Sequence, residues 1–463
     1  MINVYTNREN YQYDLHAMIK SFYPEHDVRV YAEEQQKGHQ DNRNRVTVLL
    51  FDDSMKVVID IDKRKEYVHT YKNDKDVTKK ECKLSIYYDL CDFTGKTLPW
   101  GNLTGIRPTK LAMGMLAEGR TDEEIVTWLK TTHAVSDGKA QLSLDIARRE
   151  KAILDKIHYE DGYSIYIGIP FCPTTCLYCS FTSYPIAVWR KRVEEYLQAL
   201  FQEIDFVAEA YRDKILDTVY IGGGTPTTLE AEELERLLLY VRDKFDFRQV
   251  TEFTVEAGRA DSITREKLVV LKKHGVTRIS VNPQTMKDET LKHIGRQHTV
   301  EQVKEAFQLA REAGFDNINM DIILGLPGEL EADVQNTIDA IARLNPDSLT
   351  VHSLAVKRAS KLSQWIEENG IATLHNTDST MEIAQKGAYA LGMKPYYLYR
   401  QKNMSGNFEN VGYARERKYG IYNILIMEEK QTIVACGAGS VSKRVYPDGR
   451  IERSENVKDV AQY

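Results

Sequence analysis

Residues 163–181 read YSIYIGIPFCPTTCLYCSF. The run YSIYIGIP has the composition of a short buried strand, and Pro170 stops it, so the three thiols that follow fall on a loop at the strand's C-terminal end. Working outward, five more β-branched runs follow: ILDTVYIGG (215–223), VTEFTVEA (250–257), VTRISVNP (276–283), FDNINMDIILG (315–325) and DSLTVHSLAV (347–356). Amphipathic stretches such as VEEYLQALFQEIDFVAEAY (193–211) and VEQVKEAFQLAREAG (300–314) separate them. This alternation predicts a sequential parallel sheet, closing toward a barrel or doubly wound. Six units fall short of a full eight-stranded barrel, so the expected class is α/β with a partial, TIM-like (β/α)6 barrel over residues 161–360.

The flanks read differently. RVTVLLFDD (45–53), KVVIDIDK (56–63) and CKLSIYYDL (82–90) are expected strands, followed by helices from Arg107 to Ile157. The expected organisation is an N-terminal α+β domain over 1–105, a helical connector over 106–160, the barrel, and a C-terminal extension over 361–463 that covers the active site. In that extension the Tyr-rich segment 396–427 and TIVACGAGSVSKRV (432–445) read as strands and loops, and DVAQY (459–463) reads as the start of a helix.

Composition narrows the function classes. The chain of 463 residues is 42% hydrophobic and 28% charged, with a net charge of -6 spread through mixed-sign helices, so no nucleic-acid partner is expected. No apolar run approaches the roughly 18 residues of a membrane span, and MINVYTNREN lacks the basic-then-apolar order of a leader, so the expected location is cytoplasmic. Of the 6 cysteines, Cys172, Cys176 and Cys179 cluster while Cys82, Cys91 and Cys436 are scattered, which points to metal instead of a disulfide framework.

Three clustered thiolates suit a 4Fe-4S cluster, because supplying three ligands to four irons leaves one iron open to a small molecule. A structural zinc would want a fourth local Cys or His, and cysteines that merely pack are the other alternative. Pro170 and Pro173 restrict the backbone on both sides of Cys172. Gly222, Gly223 and Gly224, with Thr225, Pro226 and Thr227 after them, form either a tight strand-to-helix turn or a place where backbone meets a ligand. Glu256, Gln284 and Asp321 put polar groups at the same ends of the strands as the thiol loop. Arg296 would give bidentate, permanently charged recognition of a carboxylate, and Tyr166 and Tyr178 flank the thiols.

CxxxCxxC after a first strand, with GGGTPT after the second, resembles the radical S-adenosylmethionine superfamily. The strings YIGIPFCPTTCLYCSF, VYIGGGTPT, VEA, PQT, IGRQH and MDIILGLPG are more closely similar to the oxygen-independent coproporphyrinogen III oxidase family, over about residues 163–360. LPWGNLTGIRPTKL and YYLYRQKNMSGNFENVGYA most resemble its HemZ-type members. The resemblance implies a 4Fe-4S cluster on Cys172, Cys176 and Cys179. It implies S-adenosyl-L-methionine held by Tyr166, Tyr178, the segment Gly222 to Thr225, Glu256, Gln284, Arg296 and Asp321, with Ala355 and Val441 as further contacts. It also implies a low-potential electron donor such as flavodoxin or ferredoxin.

The substrate so implied is a tetrapyrrole, coproporphyrinogen III, whose propionates become vinyl groups through hydrogen abstraction and loss of carbon dioxide and an electron. Its four propionates would call for cations, for which Arg107, Lys110, Lys357, Arg358, Arg400, Lys402, Arg415 and Arg417 are candidates, and Tyr396, Tyr397, Tyr399 and Tyr413 could pack on its face. Phe181 stands where family members with that activity often carry a further cysteine, a departure shared with haem-chaperone relatives. The His-Asn and Tyr-Trp order of those chaperones is absent, while His352 and His375 are histidines that could ligate haem.

Overall fold

The computed structural model describes the chain apart from residues 33–43, 72–74, 106, 159, 182, 357–359, 371–373 and 401–407 and the side chains of 75–78. It divides into two units, residues 1–147 with 400–408, and residues 148–399 with 409–463. The segment 106–160 is shared between them, and most of 361–463 belongs to the same unit as the barrel.

The first unit carries a five-stranded sheet in the spatial order Val28–Ala32, Ile2–Thr6, Arg45–Leu50, Ser54–Ile61, Lys63–Thr70. Strict alternation builds it: along Ser54–Ile61 every second residue is buried. CKLSIYYDL, expected as a strand, lies instead inside the helix Lys75–Thr94. Cys82, Ile86, Leu90 and Phe93 are buried while Tyr88 is 52% exposed, so the apolar spacing follows the 3.6 period and not the period of two. The helices Thr109–Ala117, Asp122–His133 and Asp137–Leu154 follow, the second opened by a reciprocal cap between Thr121 and Glu124.

The second unit is built on six parallel strands in sequential order: Gly162–Ile169, Ile215–Gly223, Glu252–Glu256, Arg278–Ser280, Ile318–Leu324 and Ser348–Ser353. Helices follow the strands and bury single stripes, as Val193–Ala210 does with Leu197, Leu200, Ile204 and Val207. The strands have two unlike faces. Ile165, Ile167, Val219, Ile221, Val255, Ile279, Met320 and Val351 are at most 1% exposed and form the apolar outer face. Residues of the opposite parity are polar and linked across strands, as in Thr218 Oγ1 to Ser164 Oγ (2.7 Å), Tyr220 Oη to Glu256 Oε1 (2.5 Å) and Thr350 Oγ1 to Asn319 Oδ1 (3.2 Å). A partial (β/α)6 barrel with a polar interior results.

Both edges of this wall are extended by the last part of the chain. Thr432–Cys436 runs parallel beside the first strand, followed outward by Val441–Val445 and Ile451–Glu455. Asn410–Ala414 pairs antiparallel with the sixth strand, and Lys394–Tyr399 lies beyond it. These pairings blunt the sheet edges that an open barrel would otherwise expose. Within the expected strands and loops of 396–427, residues Ile421–Glu428 are helical, and 459–463 is a turn and not the start of a helix. Among the described residues no helix is long and apolar enough to cross a membrane.

Candidate active site

The thiol loop is held by backbone geometry before any ligand is considered. Phe171–Cys172 pairs with Tyr184–Pro185, Thr225 N donates to the Phe171 carbonyl (2.7 Å), and Leu177 N donates to the Ile294 carbonyl (3.0 Å). Leu177 and Tyr178 pack against Leu291, Ile294, Leu326, Leu354 and Leu362. Burial pushes the Cys172 thiol up to about 11, with the Thr225 hydroxyl at 3.5 Å working the other way, and burial also raises Cys179. Protonated thiols must ionise to ligate iron, so metal assembly here releases protons.

The glycine run is demanded by space. A Cβ on Gly224 would fall 2.6 Å from the Phe171 carbonyl oxygen and 3.0 Å from Cys172 Sγ, and one on Gly222 would meet the Tyr220 ring at 2.8 Å and the Glu256 carboxyl at 3.1 Å. Gly223 has φ +110°, which side-chain-bearing residues rarely adopt. The segment thus brings bare backbone against the thiol loop.

Glu256, Tyr220 and Tyr166 share the inner face. Tyr166 lies 6.1 Å from Tyr220 and 6.3 Å from Tyr422 between ring centroids, with Tyr220 and Tyr422 stacked at 4.4 Å. Burial raises the Glu256 carboxyl to about 7, with the Tyr220 hydroxyl opposing and the Asp321 charge adding. Burial would raise Asp321 too, but His352, Asn319 and Thr350 overcome it and hold this carboxyl below its ordinary value. Two neighbouring acids are therefore driven to opposite states, Glu256 toward the protonated form and Asp321 toward the ionised one.

The Glu256 shift has a measurable consequence. A carboxyl that binds its proton more tightly when folded gives stability that is full below about 4.5, its unfolded range, and lost as pH rises through about 7. The thermal midpoint of the metal-free protein should fall between pH 5 and pH 8 by about 2–4 °C more than that of Glu256→Gln, scanned side by side. Equal pH slopes would contradict the assignment.

Gln284 sits at φ +68°, an unusual conformation for a side chain of its kind, and its backbone bridges to the fifth strand through Gln284 N to the Asp321 carbonyl and Ile323 N to the Gln284 carbonyl, both 2.9 Å. Its Oε1, Asn282 Oδ1 and Arg296 Nε are buried without hydrogen-bond partners. Arg296 Nη1 donates to the Asn282 carbonyl (2.7 Å) and Nη2 to Tyr178 Oη (3.2 Å). Burial works against its charge, yet Tyr178 and Cys176 more than offset this and raise its pKa. Ala355 lies half-buried just after the sixth strand, and Val441, 37% exposed, begins a strand beyond Thr432–Cys436.

Three residues join the site that composition did not single out. Arg259, 3% exposed, donates to Thr174 Oγ1 (2.8 Å), to both oxygens of Asp261 (3.0 and 2.7 Å) and approaches Cys176 Sγ at 3.9 Å. Asp261 would be raised by burial, but His298 and Arg259 hold it well below the usual carboxylate range. His298 lies within IGRQH, two positions after Arg296, and so was legible as a neighbour; Arg259 and Asp261 had no signal beyond their position after the third strand.

Of the cations expected for propionates, Arg415 is spent on structure. It bonds the Leu391 carbonyl (3.0 Å) and Asn345 beside Asp347, and since Ala414 pairs with Ser348 it lies at the end of the sheet opposite the thiols. Arg417 is exposed just beyond it. Arg107, Lys110 and Arg400 belong to the first unit, and Lys357, Arg358 and Lys402 lie outside the described residues. Tyr396 and Tyr413 are buried, Tyr397 stacks on Tyr399 at 6.3 Å, and Tyr399 alone of the four is at the thiol end and partly open.

The donor set fits an iron-sulfur cluster with a ligand on its open iron: three thiols on one clamped loop, a bare glycine backbone against them, and buried, partnerless Gln284 and Arg296 atoms awaiting polar groups. Among the described residues no group of three His, Cys, Asp or Glu side chains closes around a single metal ion.

Comparison with known proteins agrees. The family model described as the radical SAM superfamily matches residues 166–341. The chain is 45% identical over 377 residues, 80% of its own length and 75% of the other, to the oxygen-independent coproporphyrinogen-III oxidase-like protein HemZ of Bacillus subtilis. It is 40% identical over 195 residues, 42% of its length and 51% of the other, to the heme chaperone HemW of the same organism. The solved coproporphyrinogen III oxidase HemN of Escherichia coli shares the fold, with a TM-score of 0.53 at 23% identity, covering 68% of this chain and 70% of that one. With a HemZ likeness of this extent, the chain belongs to the oxygen-independent coproporphyrinogen III oxidase-like family of the radical S-adenosylmethionine superfamily, whose members use a 4Fe-4S cluster and S-adenosylmethionine.

Proposed function

We propose that this protein is an enzyme of tetrapyrrole metabolism that decarboxylates the propionates of coproporphyrinogen III without oxygen, giving the vinyl groups of protoporphyrinogen IX. The observation that carries this reading is the reach of the HemZ likeness over 80% of the chain at 45% identity, whereas the likenesses to HemW chaperones span 42 to 65% of it. Each conversion removes one hydrogen atom, one carbon dioxide and one electron from a propionate side chain.

Cys172, Cys176 and Cys179 would hold the cluster. Gly222 to Thr225, Tyr166, Tyr178, Glu256, Gln284, Arg296 and Asp321, with Ala355 and Val441, would hold S-adenosylmethionine. When bound, the two together supply a 5′-deoxyadenosyl radical by one-electron cleavage. The chain's own work is positioning and exclusion. Gly224 lets backbone approach the thiol loop, Arg296 offers Nε to a carboxylate, and Glu256, raised to about 7 and accepting from Tyr220, can exchange a proton near neutral pH and donate a hydrogen bond when protonated. The polar inner face surrounds the reacting groups with fixed dipoles in place of bulk water. A cavity of about 820 Å³ outside the thiol loop, with Lys292, Lys361 and Arg296 on its wall against one acid, Asp288, supports approach of an acidic, low-potential electron donor. The working compartment would be the cytoplasm.

Phe181, 74% exposed where a further cysteine would stand, favours a second reading as a haem carrier that keeps the cluster. Anaerobic incubation of reconstituted protein with reductant, S-adenosylmethionine and coproporphyrinogen III separates the two. Deoxyadenosine formed in step with a product 46 mass units lighter per vinyl group, about the mass of a hydrogen atom, carbon dioxide and a balancing proton, is expected. Haem retained without any turnover would favour the carrier.

A further inference from the structure

On the polar inner face, the C-terminal half of each strand presents one row of side chains to the barrel mouth: Tyr166, Tyr220, Glu256, Ser280, Asp321, His352 and, on the flanking strand, Tyr399. Among these described strand residues His352 is the only base. Arg278, the other basic residue on this face, starts its strand at the opposite end and bonds Asn317 Oδ1 (2.9 Å) and the Lys418 carbonyl (3.0 Å).

His352 is held without being used up. Its Nε2 lies 3.7 Å from Asp321 Oδ2 and its Nδ1 lies 3.5 Å from Tyr399 Oη, so one contact is longer than a formed hydrogen bond and the other at its limit. The side chain keeps 27% of its surface exposed, while Asp321 Oδ1 already takes a 2.6 Å bond from Asn319 Nδ2. Burial would raise the Asp321 carboxyl, and His352 is foremost among the neighbours that hold it below its ordinary value, so the two side chains stand as a partnered acid and ring nitrogen beside the open mouth. The other titratable groups around the pair are Glu256 and Tyr220, and Tyr397 stacked behind Tyr399.

We propose that His352, flanked by Asp321 and Tyr399, donates a ring N–H to a carboxylate of the substrate at the barrel mouth and so selects acidic side chains for reaction. This rests on the reading of the substrate as a tetrapyrrole polycarboxylate. His352 is a specificity-determining residue in this account, and Asp321 and Tyr399 position it.

The test uses binding, which needs no turnover. Coproporphyrin III, the stable oxidised macrocycle, and its tetramethyl ester are titrated by fluorescence quenching into the reconstituted protein. Wild type should bind the acid more tightly than the ester. His352→Gln should weaken the acid by about 10-fold or more, the scale of one lost charge-assisted hydrogen bond, and leave the ester and the iron content unchanged. His352→Lys should recover part of the loss. Equal binding of acid and ester by wild type, an unchanged acid affinity in His352→Gln, or haem ligation that vanishes in His352→Gln while coproporphyrin binding stays, would each overturn the proposal. A wild type that binds the acid selectively through His352 yet never decarboxylates coproporphyrinogen would sink the proposed activity and leave this assignment standing.

Discussion

Cys176→Ala is expected to yield a colourless protein, with iron falling from about four per chain in the anaerobically reconstituted wild type to near zero. Cys176 is the most enclosed of the three thiols, at 9% exposure, and lies at the centre of the loop, where Cys179 N bonds its carbonyl (3.2 Å). Arg259 approaches its sulfur at 3.9 Å and the pKa of Arg296 is raised in part by it, so two guanidiniums act on this one sulfur. Alanine removes the ligand and leaves both cations facing a void. Deoxyadenosine formation should vanish, a loss of at least three orders of magnitude, because each iron in such a cluster relies on its own protein or small-molecule ligand. Iron and sulfide analysis with the absorbance near 400 nm reads the outcome directly. A brown variant with unchanged iron would remove the cluster assignment.

Gly224→Ala is the second large effect, and it acts through backbone. The added Cβ would lie 2.6 Å from the Phe171 carbonyl oxygen and 3.0 Å from Cys172 Sγ, and the carbonyl, being backbone, cannot swing aside as a flexible side chain would. The second strand must retreat or the thiol loop must shift, and displacements of about 1 Å in a positioned site cost on the order of 100-fold in rate. S-adenosylmethionine cleavage should drop by that order, with lowered iron retention and little change in circular dichroism. Gly258→Ala is the matched control, since its Cβ would meet only Asn282 Nδ2 at 3.8 Å. Comparable losses in both variants would show that glycine matters here for folding and not for the fit between the two loops.

The contrast between these glycines marks where sequence reading stops. GGG after a strand is visible as a pattern, but which of its members faces backbone and which faces a movable carboxyl depends on the thiol loop folding over them. The same holds for Arg259, whose use became apparent only when Thr174, Cys176 and Asp261 surrounded it. Arg415 shows the converse. Among tyrosines it read as a propionate partner, yet antiparallel pairing with the sixth strand carries it to the far end, beside Asp347.

Tertiary packing also selects two of the helices. CKLSIYYDL contains enough β-branched and aromatic residues to imitate a strand, and only the sheet it packs against selects Cys82, Ile86, Leu90 and Phe93 as the buried stripe. Likewise Ile421–Glu428 is apolar on most sides and cannot be told from a strand until its place under Tyr220 and Tyr166 is known.

The six βα units, the three thiols at the end of the first strand and the glycine run after the second are legible in the amino-acid order, because strand alternation, helix period and ligand spacing are all written within a few residues. It takes the folded chain to bring Thr432–Cys436 back to the first strand, to drive Glu256 and Asp321 in opposite directions, and to stand His352 between Asp321 and Tyr399 at the mouth. Those outcomes depend on which distant strands lie side by side and how much water each group loses there, and no local pattern carries either quantity.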